Sequence, residues 1–330
     1  VKILVVRFSS IGDIVLTSSV LRCLKQQIPH STIHYFTKSI FTDLVYHNPN
    51  IDKVFGLTEN WEEVIQQLKQ ENYDYVIDLH HNLRTKRLKI ALKVPAFSFP
   101  KRNIKKFLFT KFKLNLLSRR EHVVDRYFDA VKKLGVSNDF LPNEIFIDVS
   151  NQISLTNYEL APNQYIAVSV GAQFATKKMP LEIISKILNN IHFPIVLLGD
   201  KNDQKEANQI IANCNQKQII SLCGQLNLLQ SAFVISKAKV ALCHDTGLMH
   251  IAACFDIPII TVWGNTTPDF GMSSYTPINP NQAVNFEVEN ISCRPCSKIG
   301  YQKCPKKHFK CMNQQNTDAI IEELKKQITD

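Results

Sequence analysis

Three groups of residues in this chain of 330 could do chemistry. The first is Asp245-Thr246-Gly247-Leu248, within the stretch His244 to His250. Upstream, Lys239 to Cys243 reads as a short buried strand. Downstream, Ile251 to Cys254 continues a helix, and Pro258 to Gly264 reads as the next strand. A turn that leaves a strand and opens a helix presents unpaired backbone N–H groups and the positive end of the helix dipole, which suits an anion. Gly247 lets the backbone approach a phosphate closely, and Thr246 adds a hydroxyl donor. Strand-turn-helix units are common, so a second such turn is needed to give this one weight.

That second turn lies at the start of the chain. Lys2 to Phe8 reads as a strand, Ser9-Ser10-Ile11-Gly12-Asp13 as the turn, and Ile14 to Gln27 as a helix. Asp13 has two readings. It is either a carboxylate in the first turn of a helix, or a general base held at the carboxyl edge of a sheet. No G-x-G-x-x-G is present in this turn, which argues against a dinucleotide-binding dehydrogenase.

The third group is Cys293, Cys296, Cys304 and Cys311, a Cys-x2-Cys followed by two wider spacings in a Lys-rich loop. Four cysteines so placed could hold one structural zinc, remain free thiols, or pair as disulfides. Cys23, Cys214, Cys223, Cys243 and Cys254 sit among apolar residues and read as buried small side chains.

The elements that must position these groups alternate. Strands are expected at 32–36, 53–55 and 73–79, and again at 165–170, 194–199 and 218–222; helices at 61–71, 122–134 (closed by Gly135) and 317–329. Asn151 to Asn163 is polar and contains Pro162, as a linker would. Two alternating halves predict an α/β fold of two doubly wound, Rossmann-like parallel-sheet domains facing a central cleft. The expected division is 1–155, 156–316, and a terminal helix 317–330 packing back across the junction. Hydrophobic residues make up 45%, which excludes a disordered chain, and no apolar run is long enough to span a bilayer. With no signal-peptide pattern at its start, the chain is expected to be cytoplasmic.

The net charge of +10 is concentrated. Thirteen of the 39 bases fall between Arg84 and Arg120, a span without Asp or Glu. Phe107, Leu108, Phe109, Phe112, Leu114, Leu116 and Leu117 are interleaved with them. A solvated basic face is the plain explanation. Basic plus apolar character points instead to an anionic membrane surface or an anionic lipid-linked substrate. Nucleic acid is the rival partner, disfavoured because the phosphate-binding turns suggest small-molecule chemistry.

Several of these residues resemble glycosyltransferase family 9, the ADP-heptose:lipopolysaccharide heptosyltransferases. The similar segments are Arg7 to Val15, Asp78 to Arg84, Gly171-Ala172 with Lys177-Lys178-Met179-Pro180, and Asp245 to His250. In the third, Met179 stands where the family usually has Trp. The resemblance implies the GT-B fold and a metal-independent inverting transfer from an ADP-sugar to an anionic core glycolipid on the cytoplasmic face of the inner membrane. It implies no cofactor for catalysis. Position by position, Asp13 would be the base, with Ser10 and Gly12 beside the acceptor. Lys177 would contact the diphosphate, which Thr246, Gly247 and Leu248 would cradle. Asp245 would lie near the donor sugar, Asp203 at the ribose and Leu226 at the adenine. Arg84, Lys86 and Arg87 would meet acidic sugars of the acceptor, and the Phe107 to Leu117 segment would touch the bilayer. His250 would be either a supporting or a structural residue, and Lys177 read without the resemblance is an ordinary surface lysine. Two other functions fit parts of the pattern: a sugar-nucleotide epimerase on the same fold, and a nucleotide- or RNA-binding protein with a basic surface.

Overall fold

The computed structural model describes residues 1–117, 121–215 and 218–329, so Arg119 and Arg120 of the basic run lie outside the described residues. The chain forms two units: Val1–Arg102 with Arg120–Asp148, and Asn103–Arg119 with Val149–Asp330.

The first unit is built on a sheet of β1 (Lys2–Val6), β2 (Thr32–Lys38), β3 (Lys53–Leu57), β4 (Tyr75–Asp78) and β5 (Ala96–Ser98). Its order is β3-β2-β1-β4-β5 and every pairing is parallel. Strands covered on both faces need apolar side chains on both, and Ile3 to Val6 is fully buried for that reason. Leu4, Val6, Phe36, Val76, Leu68 and Leu88 form one side of the core. The chain winds away from β1 in both directions, so the strand order reverses between β1 and β4. Open α/β sheets bind ligands outside the carboxyl ends of their strands at such a point.

The second unit repeats the plan with β6 (Ile166–Ser169), β7 (Ile195–Leu198), β8 (Ile219–Ser221), β9 (Val240–His244), β10 (Ile259–Trp263) and β11 (Ala283–Glu287). The order is β11-β10-β9-β6-β7-β8, again all parallel, with the reversal between β6 and β9. Trp263 is fully buried and its indole N–H donates to Asn285 Oδ1 at 2.7 Å, fastening β11 to the sheet.

Three features of the structure stand beside the sequence expectations. The second unit begins at Val149 and takes in Asn103–Arg119, whereas the sequence division left that segment in the first domain. Its helix Asn103–Phe112 packs through Phe109 on Phe270, and Asn115 donates to Asp269 at 2.9 Å. The terminal helix Thr317–Thr329 places Ile320, Ile321 and Leu324 in the core of the second unit. Each such burial is worth about 2 kcal/mol, which fixes that helix to its own sheet. The helix expected over Ile14 to Gln27 is two helices, Ile11–Val15 and Ser18–Gln27. Between them the Thr17 hydroxyl donates to the Ile14 carbonyl at 2.7 Å and meets the Tyr35 hydroxyl at 3.0 Å.

Candidate active site

At the carboxyl edge of the first sheet the chain leaves β1 through Arg7-Phe8-Ser9-Ser10 and enters the helix that carries Asp13. Both oxygens of the Asp13 carboxylate are engaged. Arg7 pairs with Oδ1 at 2.6 Å, and the Tyr127 hydroxyl donates to the same oxygen at 3.3 Å. Ser10 donates to Oδ2 from its hydroxyl at 2.8 Å and from its backbone N–H at 3.2 Å. Arg7 is buried, lies over the Tyr127 ring, and also donates to the carbonyls of Ser9 and Leu79. Burial works against the Arg7 charge, and the adjoining Asp13 carboxylate outweighs it, raising the guanidinium pKa. Burial pushes the Tyr127 hydroxyl up as well, so it remains a neutral donor.

The geometry contains both readings of Asp13. Its contact with Ser10 is that of a first-turn carboxylate reaching back to the helix start. Its side chain nevertheless keeps 19% exposure at the sheet edge, where a ligand can reach it. Gly12 is buried beneath, and Ser10 is exposed beside it.

The neighbouring turn, after β4, is organised by the fully buried Asp78. Its Oδ1 accepts the N–H groups of His80 at 3.1 Å and His81 at 2.6 Å, while Lys89 pairs with Oδ2 at 2.9 Å. Burial opposes the charge on Asp78; Lys89 and the turn donors overcome it and hold its carboxyl below the usual range. Arg84, Lys86 and Arg87 follow on the helix Leu83–Leu92, exposed, with Arg87 over the Trp61 ring at 5.7 Å.

In the second unit, the chain leaves β6 through Gly171-Ala172 and the short turn Ala175–Lys177. Lys177 pairs with Asp245 Oδ2 at 2.7 Å and donates to the Asp245 carbonyl at 3.2 Å. The same Oδ2 accepts the Thr266 hydroxyl at 2.7 Å. Asp245 to Leu248 are half-buried at the mouth of an otherwise buried strand and helix. Thr246 begins the helix Gly247–Ala252 without capping it through its side chain. First-turn N–H groups have no intrahelical acceptor.

His244, one residue earlier, ties this turn to the Lys177 segment. Its Nε2 accepts the Met179 N–H at 3.0 Å. Burial, then the charge of Lys178, brings the His244 pKa down to about 3, so the ring is neutral and Nδ1 carries the proton. That Nδ1 is buried without a hydrogen-bond partner among the described residues.

Asp203 lies over two glycines. A Cβ at Gly171 would sit 2.0 Å from Asp203 Oδ2, and one at Gly199 would sit 2.8 Å from it. Lys178 holds Asp203 Oδ1 at 2.9 Å and Glu206 at 2.8 Å, and the Asp200 N–H donates to Oδ2 at 3.0 Å. Leu226 belongs to the turn after β8, which the Gly224 N–H ties to the Gly199 carbonyl at 3.0 Å. The donor residues named from the sequence thus share one edge of the second sheet. His250 is buried in the helix that follows the turn.

Sequence reasoning missed Arg7, Tyr127, His244, Lys178 and Thr266 as site residues. His244 and Lys178 adjoin residues it named, and Arg7 opens the segment Arg7 to Val15 that it quoted; Tyr127 and Thr266 reach the site from distant positions and left no local signal.

None of the nine cysteines is joined in a disulfide among the described residues. Among the described residues no three His, Cys, Asp or Glu side chains are grouped to hold a metal ion. Cys293 Sγ lies 3.7 Å from His308 Nε2, and Lys113 donates to the carbonyls of Cys293 and Pro295 at 2.9 and 2.8 Å. Burial, then the neighbouring cysteines, push the Cys311 thiol up to about 12 and raise Cys296.

A family model described as glycosyltransferase family 9 (heptosyltransferase) matches residues 61–307. The lipooligosaccharide heptosyltransferase 2 of Haemophilus ducreyi is 27% identical over 317 residues, covering 86% of this chain and 87% of that protein. The lipopolysaccharide heptosyltransferase 2 of Salmonella typhimurium is 24% identical over 293 residues, covering 82% and 84%. The solved structure of E. coli ADP-heptose lps heptosyltransferase II superposes with a TM-score of 0.75 at 19% identity, over 100% of this chain and 99% of that one. That last likeness concerns the fold, two parallel-sheet α/β domains of the GT-B type. With a family match over most of its length, the chain belongs to glycosyltransferase family 9, the heptosyltransferases, and is a glycosyltransferase.

Proposed function

We propose that the enzyme moves a heptose from ADP-heptose to a hydroxyl of an anionic lipopolysaccharide core acceptor, on the cytoplasmic face of the inner membrane. The observation that carries this reading is the Lys177–Asp245–Thr266 cluster at the turn after β9, where a cation lies beside the first turn of the helix Gly247–Ala252. The names of the relatives support the sugar and the acceptor.

The reaction is an inverting single displacement. The acceptor hydroxyl attacks the anomeric carbon of the donor, and the bond from that carbon to the diphosphate oxygen breaks. Asp13 takes the hydroxyl proton, with Ser10 and Gly12 shaping the surface around it. Lys177 and the N–H groups of Thr246, Gly247 and Leu248 take up the charge that develops on the departing ADP. Asp245 lies by the sugar, Asp203 by the ribose and Leu226 by the adenine. No metal is needed where a lysine and backbone dipoles supply that stabilisation. Arg84, Lys86 and Arg87 bind acidic groups of the acceptor.

Calorimetric titration with ADP, UDP and GDP, with and without Mg²⁺, tests the donor half. Selective binding of ADP that ignores Mg²⁺ is the expected result. Preference for UDP or GDP would overturn the ADP-heptose assignment. Transfer to core glycolipid in the presence of a chelator tests the rest, and loss of turnover there would reject the metal-independent step.

A further inference from the structure

The helix Leu83–Leu92 carries bases on nearly every turn, and the structure shows what lies between them. With about 100° between successive residues, a helix of this length sorts its side chains into clear faces. Thr85 and Leu88 point into the unit and are buried, and Lys89 turns inward to Asp78 at 2.9 Å. The opposite face carries Leu83 and Ile90, two turns apart, 81% and 64% exposed. Arg87 falls beside them, Lys86 and Lys93 flank one side, Arg84 the other, and all four are exposed. No carboxylate among the described residues pairs with any of these four bases.

An apolar centre with cations around it is the opposite of a solvated basic face, whose centre would be charged. Nucleic acid would use the cations and gain little from Leu83 and Ile90. A bilayer with anionic lipids uses both: the apolar pair enters the acyl boundary, while the flexible stems of lysine and arginine carry their charges to the phosphates. We propose that this face of the helix Leu83–Leu92 docks on an anionic bilayer, with the helix axis along the surface. The inference deepens the proposed function and rests on it only in that the acceptor is a component of such a surface. It also gives the first unit a membrane contact separate from the Phe107 to Leu117 segment, which packs with the second unit.

The test is sedimentation of the full chain with vesicles that contain no acceptor glycolipid. One set is phosphatidylcholine alone, and the other has about a third of its lipid as phosphatidylglycerol. Wild-type protein is expected to partition onto the anionic set only. The double variant Leu83→Gln/Ile90→Gln, with every base retained, should partition at least about tenfold less. Its melting temperature and its turnover of a deacylated, water-soluble acceptor should match wild type. Failure of the wild type to bind anionic vesicles, or equal binding by the double variant, would overturn the inference. Because the vesicles hold no substrate, a failure of the transferase reading would appear in the turnover assay and leave the sedimentation result standing.

Discussion

Replacing Asp245 by asparagine should tighten the binding of ADP. In the free enzyme Asp245 Oδ2 sits 2.7 Å from Lys177 Nζ. A diphosphate oxygen taking a hydrogen bond of about 2.8 Å from the same ammonium comes within about 5.5 Å of that carboxylate. Two unit negative charges at that separation repel by about 3 kcal/mol at an effective dielectric of 20, and by about 1.5 kcal/mol at 40. The lysine and aspartate side chains keep 16% and 11% exposure, so water screens part of the field and the smaller figure applies. Asparagine keeps an oxygen for Lys177 and the Thr266 hydroxyl while removing the charge. The dissociation constant for ADP should fall about tenfold, since 1.4 kcal/mol is a factor of ten. Calorimetry on Asp245→Asn and on Lys177→Gln reads the effect directly, with the second variant moving affinity the other way. An unchanged or weaker affinity in Asp245→Asn would refute the reasoning, because it would mean that Lys177 does not receive the diphosphate.

Asp13→Asn should leave ADP affinity unchanged and cut turnover by at least about 100-fold, the usual cost of a lost general base; wild-type turnover would remove Asp13 from the mechanism. Gly171→Ala should cost about 1–3 kcal/mol in urea unfolding, because its new Cβ would lie 2.0 Å from Asp203 Oδ2 and force that carboxylate off the loop; wild-type stability with unaltered ADP binding would show the contact to be slack. His244 makes stability pH-dependent. Its pKa is about 3 folded and 6.5 unfolded, so between those values the unfolded chain binds more protons. Its contribution is whole above pH 6.5 and shrinks as pH falls toward 3, by about 2 kcal/mol at pH 5. His244→Gln should flatten the slope of unfolding free energy against pH over that window, whatever its effect at pH 7, and an unaltered slope would assign the acid sensitivity elsewhere.

Strands were the legible part of the fold, because burial on both faces demands unbroken apolar runs such as Ile3 to Val6 and Ile195 to Leu198. β5 is three half-buried residues at a sheet edge, and β11 is an edge strand of mixed polarity, so neither carries such a run. The helix Leu83–Leu92 has apolar residues both inward, at Leu88, and outward, at Leu83 and Ile90, which removes the single stripe that marks a surface helix. The assignment of Asn103–Arg119 to the second unit depends on Phe109 meeting Phe270 and Lys113 meeting the Cys293 carbonyl, partners more than 160 residues away. At the site, the turns themselves were readable from strand-turn-helix order. The ion pairs were not, since a lysine's sequence neighbours do not say which carboxylate it will find.

The two proposed sets of anion-binding groups rest on different physics, and ionic strength should separate them. At the donor edge Lys177 and Lys178 face Asp245, Asp203 and Glu206, so these five side chains together carry no excess of positive charge. Attraction for a diphosphate there has to come from N–H groups fixed in the turn and from Lys177 exchanging its partner, both acting at contact distance. On the helix Leu83–Leu92 four exposed bases stand without carboxylate partners among the described residues, so their attraction acts through solvent. Exposed charges are screened over about 8 Å at physiological salt and over about 3 Å at 1 M. Raising salt across that range should therefore weaken vesicle binding and raise the acceptor KM steeply, while the dissociation constant for ADP moves several-fold less. Parallel loss of both would mean that ADP, too, is held by a screened field, and the fixed turn after β9 would lose its role as the phosphate cradle.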